Sequence, residues 1–294
     1  MLNCILLVVA GVPIACFQTS DTPGPMETNL ASRTASSSDG VSIAYVAGGK
    51  GQPALLFIHG GLADRSFWRN QLEHMAGRHR VVALDLAGHG ASGKNREQWT
   101  LENFGRDVEA VMGRERLRRV ILVGNSLGGA VALEAARLLP LRVQGVIAVD
   151  TCHDFSARLD AALLRQRAES FRKDFPSACD AMAEQLFHPN ADPQLVKDVK
   201  SRMRKGSAEV IASVLEGLAT YDGVQAARAA HVPVFCLNGD LCPTRTEKNR
   251  KIVPEFKAVI MHHAGHYPML ERPKEFNDKL AAMVHEIELI EKGK

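Results

Sequence analysis

The stretch of this 294-residue chain best suited to covalent chemistry is Gly124-Asn125-Ser126-Leu127-Gly128. An alcohol with glycine two residues to either side is the pattern of a nucleophile held in a sharp, strained turn. The central side chain is pushed outward, and the glycines remove the Cβ atoms that would crowd the bend. The chemistry that fits is attack on a carbonyl carbon and transfer of an acyl group. The pattern carries weight only where a strand precedes it and a helix follows. Both are present. Residues 120–123 (VILV) read as a buried strand and 127–139 (LGGAVALEAARLL) as a helix, whose positive end favours a developing negative charge. The competing reading is a tight structural turn.

That turn belongs to a longer alternation. Strands are expected at 41–47, 54–58, 80–84, 120–123 and 143–149, with helices at 68–75, 101–112 and 127–139 between them. Short continuous apolar strands separated by helices predict a parallel sheet covered on both faces. Right-handed crossovers bring the strand ends to one edge, where chemistry is expected. From 151 to 231 only helical periodicity is evident, over 157–173, 178–187, 192–205 and 207–219. A single crossover does not need eighty residues, so this segment is expected to be a helical cap inserted after the sixth strand. Strands resume at 234–237 and 258–261, and a final helix starts near Pro273. The expected division is an α/β core of 40–150 and 232–294 with a cap of 151–231.

With those elements in place the chain resembles the α/β-hydrolase family from about Val41 to its last helix. His59-Gly60-Gly61 follows the ALLFI strand, where that family carries a His-Gly oxyanion loop. The resemblance implies an oxyanion hole formed by the backbone N–H groups of Gly61 and Leu127, with His59 as a structural hydrogen-bonding residue. Asp85-Leu86-Ala87-Gly88-His89-Gly90-Ala91-Ser92 resembles a family turn and is assigned no chemistry. Gly265-His266, followed by Glu271-Arg272-Pro273, resembles the family's closing motif and implies His266 as general base, in the chain order of serine first and histidine late. Rival readings are a surface histidine or a metal site shared with His262 and His263; no metal is expected, because no carboxylate sits at ligand spacing.

The acid departs from the pattern. The family usually shows Gly-x-x-Asp after the strand preceding the last, and here Gly239-Asp240-Leu241-Cys242-Pro243 puts a thiol in that place. Asp150, at the end of the VIAVD strand and on the same edge as Ser126, is the preferred candidate. Asp240 is the alternative, Asp154 a third, and a helix-capping role for Asp150 stays open. The activity implied is that of a cofactor-free serine hydrolase acting on a small, apolar acyl ester. An alternative is a perhydrolase or acyltransferase on the same residues. A non-catalytic binding protein on the same scaffold is another, kept open by Cys242. Leu62, Phe67, Trp68 and Met269 are expected either to line an apolar pocket or to sit in the core.

A formal charge of +3 with scattered basic residues gives no reason to expect nucleic acid as a partner. Residues 1–16 read as a secretory or lipoprotein segment, too short to span a bilayer, where roughly 20 residues are needed. Export is the expectation, with membrane attachment through a lipidated Cys16 as one form of it. Residues 17–39, rich in Ser, Thr and Pro, read as a flexible tether.

Overall fold

The computed structural model describes residues 30–293; the signal or lipoprotein reading of 1–16, and Cys16 with it, lies outside them. Eight strands form one sheet in the order β1-β2-β4-β3-β5-β6-β7-β8. They are β1 (Ala31–Ser36), β2 (Ser42–Gly48), β3 (Ala54–Ile58), β4 (Val81–Leu84), β5 (Val120–Asn125), β6 (Val143–Val149), β7 (Val234–Gly239) and β8 (Lys257–Met261). β1 and β2 run antiparallel to their neighbours, and β3 to β8 are mutually parallel.

The tether expected over 17–39 is corrected in its last part. Ala31–Ser36 pairs along its whole length with Ser42–Ala47 as an edge strand, followed by a turn in which Ser37 N–H donates to the Val41 carbonyl. The composition misled because an edge strand needs only its backbone ladder and one buried side chain. Here Ala35 is that side chain, and the small polar residues around it face solvent.

The parallel strands read as continuous apolar runs because both of their faces are covered. Alternate residues feed two separate cores. Leu56, Ile58, Val82, Leu84, Leu122 and Val146 pack on one face. There they meet α2 (Leu101–Arg114) and α3 (Leu127–Leu138). Leu55, Phe57, Val81, Ile121, Val123 and Ile147 pack on the other. They face α1 (Arg69–Met75) and the last helix, α11 (Pro273–Lys292). Leu62, Phe67, Trp68 and Met269 belong to this second core, none more than 3% exposed, and do not line the cavity described below.

Between β6 and β7 lie five helices rather than four: α4 (Ala161–Lys173), α5 (Phe175–Leu186), α6 (Pro193–Met203), α7 (Ala208–Leu218) and α8 (Gly223–Ala229). Aspartate or serine side chains cap the N-terminus of each, at Asp160, Asp174, Asp192, Ser207 and Asp222. α8, short and rich in small residues, escapes the periodicity argument; it packs on α3 and leads the chain back into β7. Two further short helices, α9 (Thr246–Arg250) and α10 (Pro268–Glu271), flank β8.

The strand order reverses direction at β3. β4 lies to one side of it and β5 to the other, so the loops leaving β3 and β5 part at their carboxyl ends. In open α/β sheets that is where ligands bind. The turn after β4 is fastened beneath this crevice. Asp85 accepts hydrogen bonds from the backbone N–H groups of Arg65 and Ala91 and pairs with the Arg65 guanidinium. Arg96, 7% exposed, is held by Asp107 at 2.6 Å and Asp39 at 2.7 Å.

Asp107→Ala leaves the Arg96 guanidinium buried with half its counter-charge gone. It should cost about 3–5 kcal/mol of stability, read from urea denaturation, the usual scale for breaking a buried ion pair on one side. A loss below about 1 kcal/mol would show that this pair does not hold the loop.

Candidate active site

Ser126 sits between β5 and α3 with φ 56° and ψ −119°, a backbone conformation that non-glycine residues rarely adopt. It is held there from several sides. Its N–H donates to the Val149 carbonyl at 3.1 Å, and its carbonyl accepts from Gly129 at 3.0 Å. A Cβ on Gly124 would collide with the carbonyl oxygen of Gly128, and one on Gly128 with that of Ile58. The two glycines are therefore a steric requirement of the turn, as the spacing predicts.

Asp150 also has a positive φ, 44°, at the end of β6, and Cys152 follows at 54°. This kink turns the Asp150 carboxylate toward the loop after β8. Its Oδ2 lies 2.6 Å from Nδ1 of His266, and its Oδ1 accepts the Gly239 N–H at 3.0 Å. His153 Nε2 stands 3.6 Å from the same Oδ1. Asn238 donates from Nδ2 to the Thr151 carbonyl and accepts the Thr151 N–H on Oδ1, which fixes its amide orientation. That Nδ2 also donates to Thr244 Oγ1 at 2.9 Å, and His153 Nδ1 stands 3.1 Å from the same hydroxyl, so His153 and Asn238 share Thr244 as a partner. Burial alone would raise the Asp150 pKa. The contacts with His153 and His266 outweigh burial and hold it well below the usual carboxylate range.

His266 is placed by its own loop. Its N–H donates to the Leu186 carbonyl at the end of α5, 2.6 Å away. Its carbonyl accepts from Asn125 Nδ2 at 3.0 Å, and the same nitrogen donates to the Val149 carbonyl. Glu271 accepts the N–H groups of Gly265 and Tyr267 on either side of it. Asp150 and His266 are 5% and 4% exposed, so their contact is shielded from water.

Asp240 does not reach the imidazole. Its Oδ2 accepts the His263 N–H at 2.9 Å and lies 3.5 Å from His262. Asp154 is engaged with Lys248 and Ser156. His59 donates from Nδ1 to the Gly60 carbonyl at 2.7 Å and accepts the Leu86 N–H on Nε2, joining the loops after β3 and β4. Burial pushes its pKa down to about 4. Among the described residues no group of three or more His, Cys, Asp or Glu side chains is arranged to hold a metal ion.

Ser126, His266, Gly61 and Leu127 open onto one cavity of about 340 Å³. The inserted segment supplies much of its apolar wall through Leu159, Met182, Leu186, Ile211, Val214 and Leu215. The site residues that motif reasoning missed are buried polar ones, Asn125, His153 and Asn238. Asn125 stood in plain view at the variable position before the serine. Nothing in the local sequence distinguishes the other two.

The model of the alpha/beta hydrolase family matches residues 55–279. The chain is 25% identical to 3-oxoadipate enol-lactonase 2 of Acinetobacter baylyi over 79% of this chain and 89% of that protein. It is 27% identical to the dihydrolipoyllysine-residue acetyltransferase component of the acetoin cleaving system of Pseudomonas putida, over 81% of this chain but only 65% of that protein's length. Among solved structures, a thermophilic esterase from Thermogutta terrifontis superposes with a TM-score of 0.76 at 24% identity, covering 87% of this chain and 99% of that one.

The depressed Asp150 pKa has a consequence for stability. Above the ordinary carboxylate value of 3.8 the group is ionised both folded and unfolded, and its contacts stabilise the folded state in full. As pH falls below about 4 the unfolded chain takes up the proton first, and that contribution is lost. Urea unfolding followed from about pH 6 to pH 2 should show a steeper fall for the wild type than for Asp150→Asn. Parallel curves would mean that Asp150 is not held as the anion.

Proposed function

For a chain that belongs to the α/β-hydrolase family, we propose hydrolysis of a carboxylic ester through an acyl-enzyme on Ser126. The observation that carries this reading is the 2.6 Å contact of Asp150 with His266 Nδ1, beside a cavity that Ser126, Gly61 and Leu127 share. A proton on Nδ1, held by the carboxylate, leaves Nε2 as the basic nitrogen. Nε2 takes the Ser126 proton as the hydroxyl oxygen bonds to the ester carbonyl carbon. The oxyanion that forms is received by the backbone N–H groups of Gly61 and Leu127. The first amides of α3 have no acceptor within the helix, which suits Leu127 to this role. The imidazolium returns its proton to the departing alkoxide as the carbonyl re-forms. Water, deprotonated by the same nitrogen, then releases the carboxylic acid and restores the serine.

Ester cleavage is supported by the similarity to an enol-lactonase, whose name describes the opening of an internal ester. A non-catalytic reading rests on the thiol at the acid's usual position, and Asp150 supplies the missing carboxylate from another strand. Water as acceptor is the simplest reading of the reaction; transfer to peroxide or an alcohol would use the same residues.

A fluorophosphonate probe should label Ser126 in the folded protein and fail on Ser126→Ala. On p-nitrophenyl butyrate, Ser126→Ala and His266→Ala should lose about 10⁴-fold or more in kcat, and Asp150→Asn about 10⁴-fold. Asp240→Asn should stay within about threefold of wild type, since its contacts are with the neighbouring loop. An active Asp150→Asn beside an inactive Asp240→Asn would reverse the assignment of the acid.

A further inference from the structure

The cavity wall is apolar except at a few points, and those points have a net positive sign. Arg167 projects from α4 into the same cavity as Ser126 and His266. It is half-buried, and its recorded polar contact is a marginal 3.5 Å approach of Nη2 to Gln185 Oε1. Burial pushes its pKa down, and among the described residues no acidic side chain acts the other way. Several other cations of the insertion have acidic partners. Arg172 is paired with Glu209 and Glu216, Arg204 with Asp180, and Lys200 with Glu184. Arg245, from the loop after β7, lines the cavity as well. The acid that lines it, Asp154, is already held by Lys248 at 2.8 Å.

A guanidinium drawn partly out of water without a counter-charge costs stability and persists where something else balances it. Its planar fork matches a carboxylate, and the leucines, isoleucine and methionine that line the same cavity suit a hydrocarbon spacer. We propose that Arg167, with Arg245, forms an anion subsite, and that the ester cleaved at Ser126 carries a carboxylate at the far end of an otherwise apolar group. This rests on the ester hydrolysis proposed above and narrows its substrate from a simple apolar ester to an amphipathic, anionic one.

The test compares kcat/KM on two matched pairs. On the acyl side the pair is mono-p-nitrophenyl adipate against p-nitrophenyl hexanoate. On the alcohol side it is 4-carboxyphenyl hexanoate against 4-carbamoylphenyl hexanoate. Wild type should prefer the anionic member of one pair by about tenfold or more, the scale of one charge-assisted hydrogen bond. Arg167→Gln should bring that ratio near one. Arg167→Lys, which keeps the charge without the fork, should retain part of it, and Arg165→Gln, an exposed neighbour on α4, all of it. Neutral esters cleaved with no preference in either pair overturn the subsite alone, as does a preference that survives Arg167→Gln. If no ester is cleaved and the fluorophosphonate probe leaves Ser126 unlabelled, the reaction itself is overturned and the subsite with it.

Discussion

The contact between Asp150 and His266 joins parts of the chain 116 residues apart, and most of the polar architecture around it serves to hold that contact. A carboxylate with both oxygens engaged and an imidazole seated between two backbone tethers cannot be moved separately. Asn125 binds the carbonyls of Val149 and His266 at once, so the end of β6 and the histidine loop are fixed by one side chain adjacent to Ser126. Asn238 and Asn249, both fully buried, fasten the backbone of Thr151, Cys152 and Phe155 just beyond Asp150. Each would be expensive to bury alone; each is hydrogen-bonded, and the network makes the geometry rigid.

The carboxylate that meets the imidazole comes from a different strand than the family's usual one, and the sheet accounts for why this is tolerated. β6 and β7 are parallel neighbours, with Val149 in register with Leu237, so Asp150 and Gly239 emerge side by side at the same edge. A carboxylate from either strand can approach the same imidazole if the backbone bends suitably. The left-handed residues at 150 and 152 supply that bend at the end of β6. At the end of β7 the chain continues toward His263, which takes up Asp240. Cys242 in the usual acid position is then compatible with an intact site.

The helices inserted between β6 and β7 do two things for this edge. α5 anchors the histidine loop directly, through the hydrogen bond from His266 N–H to Leu186. Together the helices line the cavity with aliphatic side chains, and an apolar lining lowers the local dielectric around the charges at its rim. Arg167, with no acidic partner among the described residues, is a polar exception in this largely apolar lining. It sits on the inserted segment, whereas Ser126, Asp150 and His266 sit at the sheet edge.

Reading residues in order was enough for the parallel sheet, the helical insertion, the serine turn and the histidine loop. Each is written in a local pattern: continuous apolar strands, helical periodicity, glycine spacing. Two local readings failed for local reasons. Residues 31–36 look like a linker because an edge strand's stability lies in its ladder with β2, and α8 is too short and small-sided to show a period. Which carboxylate meets the imidazole was beyond any local pattern, because Asp150 and Asp240 stand at the ends of adjacent strands and differ in the direction their backbones turn. That direction, and the absence of an acid beside Arg167 among the described residues, are properties of how distant segments pack. A charge's partner is chosen by distance in space, which the order of residues along the chain does not contain.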